Sequence, residues 1–376
     1  MAQSVPQQLG VRPVINAAAT LTKLGGSIMP PEVVAAMSAA SGNFVDMFEY
    51  MDKVGERLAE LTHNEAAFVS SGAAAGIALC VASCIAGTDP SRQQSFPYLE
   101  GIDKTNVVVY KRQRNPYDYA ARQTGARLVE IEPDGDDLER EVANPKTACV
   151  LYFGGEALAP GARPLPEVIE IAHSMSVPVI VDGAAQIPPI SNLWYYTRDL
   201  GADAAIFSGG KGLRGPQSSG LVVGKKAIID GIRPNAAPNQ SFGRPMKVGK
   251  EELAGLLTAV ELALKQDEPA LLASYEASVR LWNEGLAGIP GVTAERRYPS
   301  EAGQPHGRTI VTLDESFPKT RDQVIDELWN RDPRIAVSPI DTNAFALNPQ
   351  TLETGEDRIV LDAVRDVLTT ATKGNR

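Results

Sequence analysis

Two residues of this 376-residue chain stand where chemistry is done. Asp182 ends the apolar run Val177 to Val181, and Lys211 sits in Ser208-Gly209-Gly210-Lys211-Gly212, directly after the apolar run Ala204 to Phe207. Short apolar runs bounded by glycine read as buried strands of a parallel sheet. In such sheets functional groups gather at the carboxyl ends of the strands. A carboxylate and an amine would thus top two strands, 29 positions apart (211 minus 182). Taken singly, Asp182 reads as a helix-capping residue and Lys211 as a lysine in a surface turn. Together, in this order, they match what pyridoxal 5'-phosphate (PLP) requires. A lysine amine forms the Schiff base, and a carboxylate keeps the pyridine nitrogen protonated so that the ring draws electrons.

A phosphate-bearing cofactor also needs an anion site, and residues 66–86 offer one. Ala66 to Val69 suits a short strand, Ser70-Ser71-Gly72 a turn, and Ala73 to Ala86 a helix of strong formers. The free N–H groups of Gly72, Ala73 and Ala74 and the positive end of the helix dipole would face the anion, with Ser70 or Ser71 adding a hydroxyl. Alone, the same pattern describes an ordinary serine cap on a core helix. After the strand Asn106 to Tyr110, the segment RQRNPYDY offers Arg114, Asn115 and Tyr117 as groups to lie over the pyridine face. Gln186, four residues past Asp182, suits a hydrogen bond to the ring oxygen and equally a plain turn.

The elements needed to hold these groups are legible as an alternation of strands and helices. Further strands are expected at Arg127 to Ile131, Ala148 to Phe153 and Leu221 to Val223, the last of undecided direction, with helices over Asp46 to Thr62 and Leu165 to Ser174. Residues 11–30 lack a period and read as an extended arm. The stretch 231–249, rich in Pro, Gly and Asn, reads as a domain junction. Beyond it, helices at Lys250 to Leu264, Pro269 to Leu286, Arg321 to Trp329 and Glu356 to Thr370 and strands at Thr309 to Leu313 and Ile335 to Val337 suggest a small α+β domain. The expected division is an N-terminal arm and helix (1–40), a PLP-binding large domain (41–245) and a small C-terminal domain (246–376).

Composition fits a globular protein, with 43% hydrophobic and 22% charged residues. The net charge of −10 and the absence of a basic footprint disfavour a nucleic-acid partner. No signal core or run of about eighteen apolar residues appears, so no membrane partner is expected and the cytoplasm is the expected compartment. Cys80, Cys84 and Cys149 form no disulfide framework, and His63, His173 and His306 have no metal-ligand spacing. The cysteines read as small core residues and no metal site is expected.

With these pieces in place the chain resembles the fold-type I PLP enzymes, the aspartate aminotransferase-like fold. More narrowly it resembles the selenocysteine synthase-like family, in the branch that includes sugar-acid ammonia-lyases. The resemblance is carried by INAAATLTKLGGSIMPPEVV (15–34), SSGAAAG (70–76), VDGAAQ (181–186), FSGGKGLRGPQSSGLV (207–222), GRPMKVGKEEL (243–253) and NPQTL (348–352), which span almost the whole chain. It implies a mostly parallel large-domain sheet with a smaller α+β C-terminal domain. It further implies that Lys211 binds the cofactor covalently, that Asp182 pairs with the pyridinium, and that Ser70, Ser71, Gly72, Ala73 and Ser208 hold the phosphate. A homodimer or larger homo-oligomer follows from the same resemblance. Two departures stand out. The chain starts almost directly at the INAAAT arm, without the tRNA-engaging N-terminal region of bacterial selenocysteine synthases. RQRNPYDY also lacks the histidine expected there in ammonia-lyases.

The implied activity is a carbon–oxygen lyase that dehydrates and deaminates a 2-amino-3-hydroxy acid, with D-glucosaminate 6-phosphate as the type substrate. Racemisation, retro-aldol cleavage, selenium transfer and a non-catalytic relative of the fold are the alternatives; the intact glycine-lysine block speaks against the last. For an anionic small-molecule substrate the cations with suitable placement are Arg12, Lys23, Arg163, Arg214, Arg244 and Lys247, joined by Tyr117.

Overall fold

In the computed structural model, residues 5–155 and 161–373 are described. By packing they fall into two units, 29–266 on one side and 1–28 with 267–376 on the other. The larger unit is built on a seven-stranded sheet. Its strands, numbered in chain order, are β1 (Ala66–Ser70), β2 (Asn106–Tyr110), β3 (Arg127–Ile131), β4 (Thr147–Phe153), β5 (Val179–Asp182), β6 (Ala204–Ser208) and β7 (Gly220–Gly224). They lie in the order β1-β7-β6-β5-β4-β2-β3. Only β7 runs against its neighbours, which decides the direction left open for Leu221 to Val223. The other six strands therefore end at one edge.

The central strands are largely apolar because both faces of the sheet are covered, while the edge strand β3 leaves Arg127 and Glu130 exposed. Val150 and Tyr152 of β4, Val179 and Val181 of β5, and Ala205 and Phe207 of β6 join one core cluster. Cys149, Leu151 and Phe153, Ile180, and Ala204 and Ile206 join the cluster on the opposite face. This is the two-residue alternation of a pleated strand. The second face carries the helix Ala73–Ala86, buried on nearly every side and covered in turn by the helix Lys226–Asn235. At the amino ends, Asp203 sets the register. Its Oδ2 accepts the Val179 N–H at 2.7 Å and lies 2.8 Å from His173 Nε2, while Lys225 Nζ lies 2.7 Å from Oδ1. One buried carboxylate thus ties the start of β5 to the turn before β6 and to the residue after β7.

The second unit holds a four-stranded antiparallel sheet, in the order Ser338–Pro339, Ala344–Leu347, Arg308–Leu313, Val292–Arg297. The helices Glu268–Leu286, Arg321–Asn330 and Glu356–Lys373 pack around it, with Trp282 fully buried and its indole N–H donating to Asp357 O at 2.8 Å. Two of these strands, Val292–Arg297 and Ala344–Leu347, fall outside the stretches expected as strands from sequence. The first is charged and half exposed, the second short and flanked by polar residues.

The arm expected over residues 11–30 is only partly an arm. Val14–Asn16 pairs in parallel with Arg334–Ala336, and Ile15 and Ala17 to Ala19 are core. Small residues sharing a crowded interior show no period to read. The packing boundaries fall at 28/29 and 266/267, whereas the sequence reading set them at 40/41 and 245/246. The Pro/Gly-rich stretch lies within the larger unit because the helix Lys250–Ala263 after it packs against the helices Pro31–Ser41 and Met47–Leu61. Among the described residues no helix is long and apolar enough to cross a membrane.

Candidate active site

The common edge of the sheet gathers most of the residues singled out from sequence. Register pairs Phe153 with Asp182, Asp182 with Ile206, and Gly220 with both Ser70 and Ser208. Asp182 is buried, 8% exposed, and its Oδ1 accepts the Ala184 N–H at 3.0 Å. Burial pushes its carboxyl above the ordinary aspartate value, against the opposing pull of the Ala184 N–H and the Lys211 charge. A carboxylate held so far from water favours a cation beside it.

Lys211 lies half-buried in the turn after β6. Gly209 N donates to Ser219 O at 2.9 Å, Gly215 N to Gly209 O at 2.8 Å, and Arg214 N to Lys211 O at 2.9 Å, so the turn folds back on itself. A side chain at 212 would place its Cβ 2.0 Å from Ile187 O, which explains a glycine beside the lysine. Lys211 Nζ sits 5.9 Å from the centroid of the Tyr117 ring, at the outer limit of cation–π range. That separates the three groups that sequence left open. Arg114 is drawn into ion pairs with Asp118 and Glu130, and the Asn115 side chain accepts the Tyr117 N–H at 2.9 Å. Tyr117, 62% exposed, is the ring nearest the lysine among them.

The anion cradle takes shape at the helix Ala73–Ala86. Gly72 has φ 145° and ψ 164°, a region essentially reserved for glycine, and a Cβ there would meet nothing within 4 Å. The backbone therefore opens the first turn, whose N–H groups at 73–75 have no acceptor within the helix. Ser70 is fully buried and donates to Gly72 O at 2.9 Å, so its hydroxyl braces the turn. Ser71 is half-buried at the opening, as is Ser208 across Gly220. A buried anion-seeking turn, a desolvated carboxylate and an amine on one sheet edge fit PLP in its three reactive parts: phosphate, pyridine nitrogen and aldehyde.

The remaining predicted residues are distributed unevenly. Gln186 is buried, its side-chain amide donating to Gly154 O at 3.3 Å and its backbone carbonyl accepting from Asn192 Nδ2 at 2.6 Å. Arg214 takes a left-handed conformation, φ 55°, three residues past the lysine. Arg244 and Lys247 are exposed in the same unit. Arg163 is consumed structurally, paired with Glu139 and Glu167 and donating to Pro133 O and Gly135 O, which removes it from the pool of substrate cations. Arg12 and Lys23 belong to the smaller unit, where Arg12 donates to Asn330 O at 3.2 Å and Lys23 is exposed on a short turn.

Two residues at this edge escaped the sequence reading. Gln113 is fully buried and clamps Phe153, donating to its carbonyl at 3.0 Å and accepting its N–H at 3.1 Å. Tyr196 is buried against Gly154, Gly183 and Phe207, and burial raises its phenol pKa. Neither had a usable signal. A glutamine after a strand and one aromatic among Trp194, Tyr195 and Tyr196 are unremarkable in sequence.

The family profile described as aminotransferase class-V matches residues 34–240. A D-glucosaminate-6-phosphate ammonia lyase of Salmonella typhimurium is 31% identical over 98% of this chain and 98% of its own length. A 5'-C-glycyluridine monooxygenase-decarboxylase of a Streptomyces species is 32% identical over 94% of this chain and 90% of its own. The solved structure of a D-glucosaminate-6-phosphate ammonia-lyase superposes with a TM-score of 0.83 at 28% identity, covering 99% of this chain and 100% of that one.

Proposed function

The chain belongs to the class-V aminotransferase family of PLP-dependent enzymes, and from that premise we propose that it is a carbon–oxygen lyase. It removes water and then ammonia from an anionic 2-amino-3-hydroxy acid of the D-glucosaminate 6-phosphate type, leaving a 2-keto acid. The observation that carries the reading is full-length likeness to an ammonia lyase in sequence and in fold together.

When bound, the cofactor supplies an electron sink for the substrate α-carbon. Lys211 Nζ would hold it, and the lysine amine, when free, would take the α-proton. Asp182 contributes the negative charge that keeps the ring nitrogen protonated, and its burial keeps that charge from being screened by water. The first turn of Ala73–Ala86 with Gly72, Ser71 and Ser208 would hold the phosphate, while Ser70 fixes the turn. Gln186 would serve the cofactor's ring oxygen, and Tyr117, whose ring centroid lies 5.9 Å from Lys211 Nζ, would help to hold the ring. Within the larger unit, Arg214, Arg244 and Lys247 would be the cations for the substrate's acid groups. Hydrolysis of the released enamine needs no further side chain.

A second reading is favoured by the Streptomyces relative, whose name joins oxygen insertion to decarboxylation. Incubation with D-glucosaminate 6-phosphate and simpler D- and L-hydroxy amino acids, in heavy water and with and without oxygen, separates the two. Elimination yields keto acid and ammonia in equal amounts whether or not oxygen is present, with Lys211→Ala as the inactive blank. Oxygen uptake with carbon dioxide release supports the second reading instead. Deuteration at the α-carbon alone marks a racemase, and aldehyde with glycine an aldolase. The proposal extends to a homo-oligomer in the cytoplasm acting on a small molecule, neither on nucleic acid nor at a membrane. Three unpaired cysteine thiols suit a reducing compartment.

A further inference from the structure

Gln113 is a fully buried polar side chain that the reaction described above does not use. It stands at the end of β4, where the sheet runs out of partners on one side. The ladder between β2 and β4 stops at Val108 and Val150, and β2 itself ends at Tyr110. Phe153 is nevertheless buried, and buried backbone N–H and C=O groups need partners. Gln113 supplies both. Its Nε2 donates to Phe153 O at 3.0 Å, and its Oε1 accepts the Phe153 N–H at 3.1 Å. A side-chain amide carries donor and acceptor together, as a peptide group does, so it takes the place of the missing strand.

The Phe153 carbonyl and the Gly154 N–H belong to one planar peptide group. Its oxygen accepts from Gln113, and its N–H donates to Asp182 O at 2.8 Å. Gly154 O in turn accepts the Gln186 side-chain amide at 3.3 Å. One rigid plate therefore lies between Gln113 and the backbone of Asp182, and the residue after it carries Gln186. The fit is close, since a Cβ on Gly154 would lie 3.3 Å from both Asp182 O and the Tyr196 hydroxyl. We propose that Gln113 is a positioning residue for the cofactor: by fixing the 153–154 peptide it sets where the Asp182 carboxylate and the Gln186 amide stand at the sheet edge. This rests on the assignment of those two residues to the ring nitrogen and the ring oxygen. Gln113 acts through the backbone of β4 and not by a contact of its own.

The test reads cofactor binding and not products, so its outcome stands apart from whether the reaction is an elimination. Gln113→Leu fills the space and removes both hydrogen bonds. Titration of the stripped protein with PLP is expected to show affinity weakened by about tenfold or more, because two buried backbone groups lose their partners and the plate shifts. In the loaded protein, the pH midpoint of the cofactor's visible absorption is expected to move in the same direction as in Asp182→Asn. Val142→Ala, in the core before the amino end of β4, is the control: it lowers the melting temperature and leaves that midpoint in place. Gln113→Glu supplies a rescue. A protonated glutamic acid offers a donor and an acceptor, as glutamine does, whereas the ionised form offers acceptors alone. Burial raises its pKa, so its PLP affinity relative to the native chain should fall as the pH rises from about 5 to about 9. Tyr152, which faces Gln113, stays neutral over this range because burial raises its phenol, and the neighbouring Arg112 and Arg114 stay charged. Comparison with the native chain at each pH cancels the titration of Asp182, Lys211 and the cofactor. If Gln113→Leu lowers the melting temperature but keeps native affinity and the native midpoint, Gln113 only holds the fold and the proposal fails. It fails equally if Gln113→Glu at about pH 9 binds the cofactor as the native chain does, and this variant decides the matter should Gln113→Leu not fold.

Discussion

Asp182 carries opposite consequences for stability and for chemistry. In the cofactor-stripped protein, burial raises its pKa above the roughly 3.9 of an unfolded aspartate. A carboxyl raised on folding contributes stability that is present below the unfolded value and is lost as the pH rises through the folded one. Asp182→Asn should therefore raise the melting temperature of the stripped protein at pH 7, and the gain should vanish as the pH falls toward about 3.5. With cofactor bound the sign reverses in function, because a neutral amide does not keep the ring nitrogen protonated. Turnover is expected to fall at least tenfold, about 1.4 kcal/mol in the transition state, with a smaller loss of cofactor affinity. Thermal melts across pH and steady-state kinetics check the two halves separately. Unchanged turnover with cofactor bound would remove Asp182 from its role.

At the level of elements, the cradle depends on how closely β7 approaches the turn before the helix Ala73–Ala86. A Cβ on Gly220 would lie 2.5 Å from Gly72 C and 2.6 Å from Ser70 Oγ. Gly220→Ala must therefore push the Ser70–Gly72 turn outward, at a cost of about 1–3 kcal/mol typical of overpacking. The expected outcome is a lower melting temperature together with cofactor affinity reduced at least tenfold, read by titration of the stripped protein. Gly42→Ala is the control. It lies in an exposed helix end where the nearest atom to an added Cβ is Ala39 O at 3.6 Å, and it should be neutral or slightly stabilising. Equal cofactor affinity in both variants would show that the cradle is not where the phosphate binds.

For the molecule as a whole, the segment from Phe44 to Phe48 presents an unusual surface. Phe44 is 105% exposed, Val45 42% and Phe48 55%, three large apolar side chains within five positions. Leaving such area in water costs about 25 cal/mol for each Å² that a partner would cover. A second copy of the chain is the occupant that the proposed homo-oligomer supplies. Phe44→Asp with Phe48→Asp is expected to shift the mass measured by light scattering toward a monomer, with the helix content retained. An unchanged mass would place the contact elsewhere.

Much of the larger unit was legible because its signals are local. Residues buried on both faces of a sheet must be apolar regardless of distant partners, so Val179–Asp182 and Ala204–Ser208 appear as runs, and each ends where its chemistry begins. The lysine between glycines and the small-residue turn at 70–73 are visible for the same reason, since each is defined by its immediate neighbours. What sequence left open was pairwise. The direction of β7 depends on hydrogen bonds to β1 and β6, and a strand of either direction can present the same apolar residues. Arg163 looks like any other arginine until Glu139 and Glu167, 24 and 4 positions away, close on it. Gln113 acquires its function as a clamp only when β4 brings Phe153 to it across 40 positions. Glu301 gains the Asn348 amide as a donor only when the end of a strand 47 positions further on arrives beside it. The sequence determined which segments are buried and which turns carry an amine, a carboxylate and open backbone donors. Tertiary structure alone decided which polar groups are already paired, because pairing depends on chain segments meeting in space and leaves no local trace in composition.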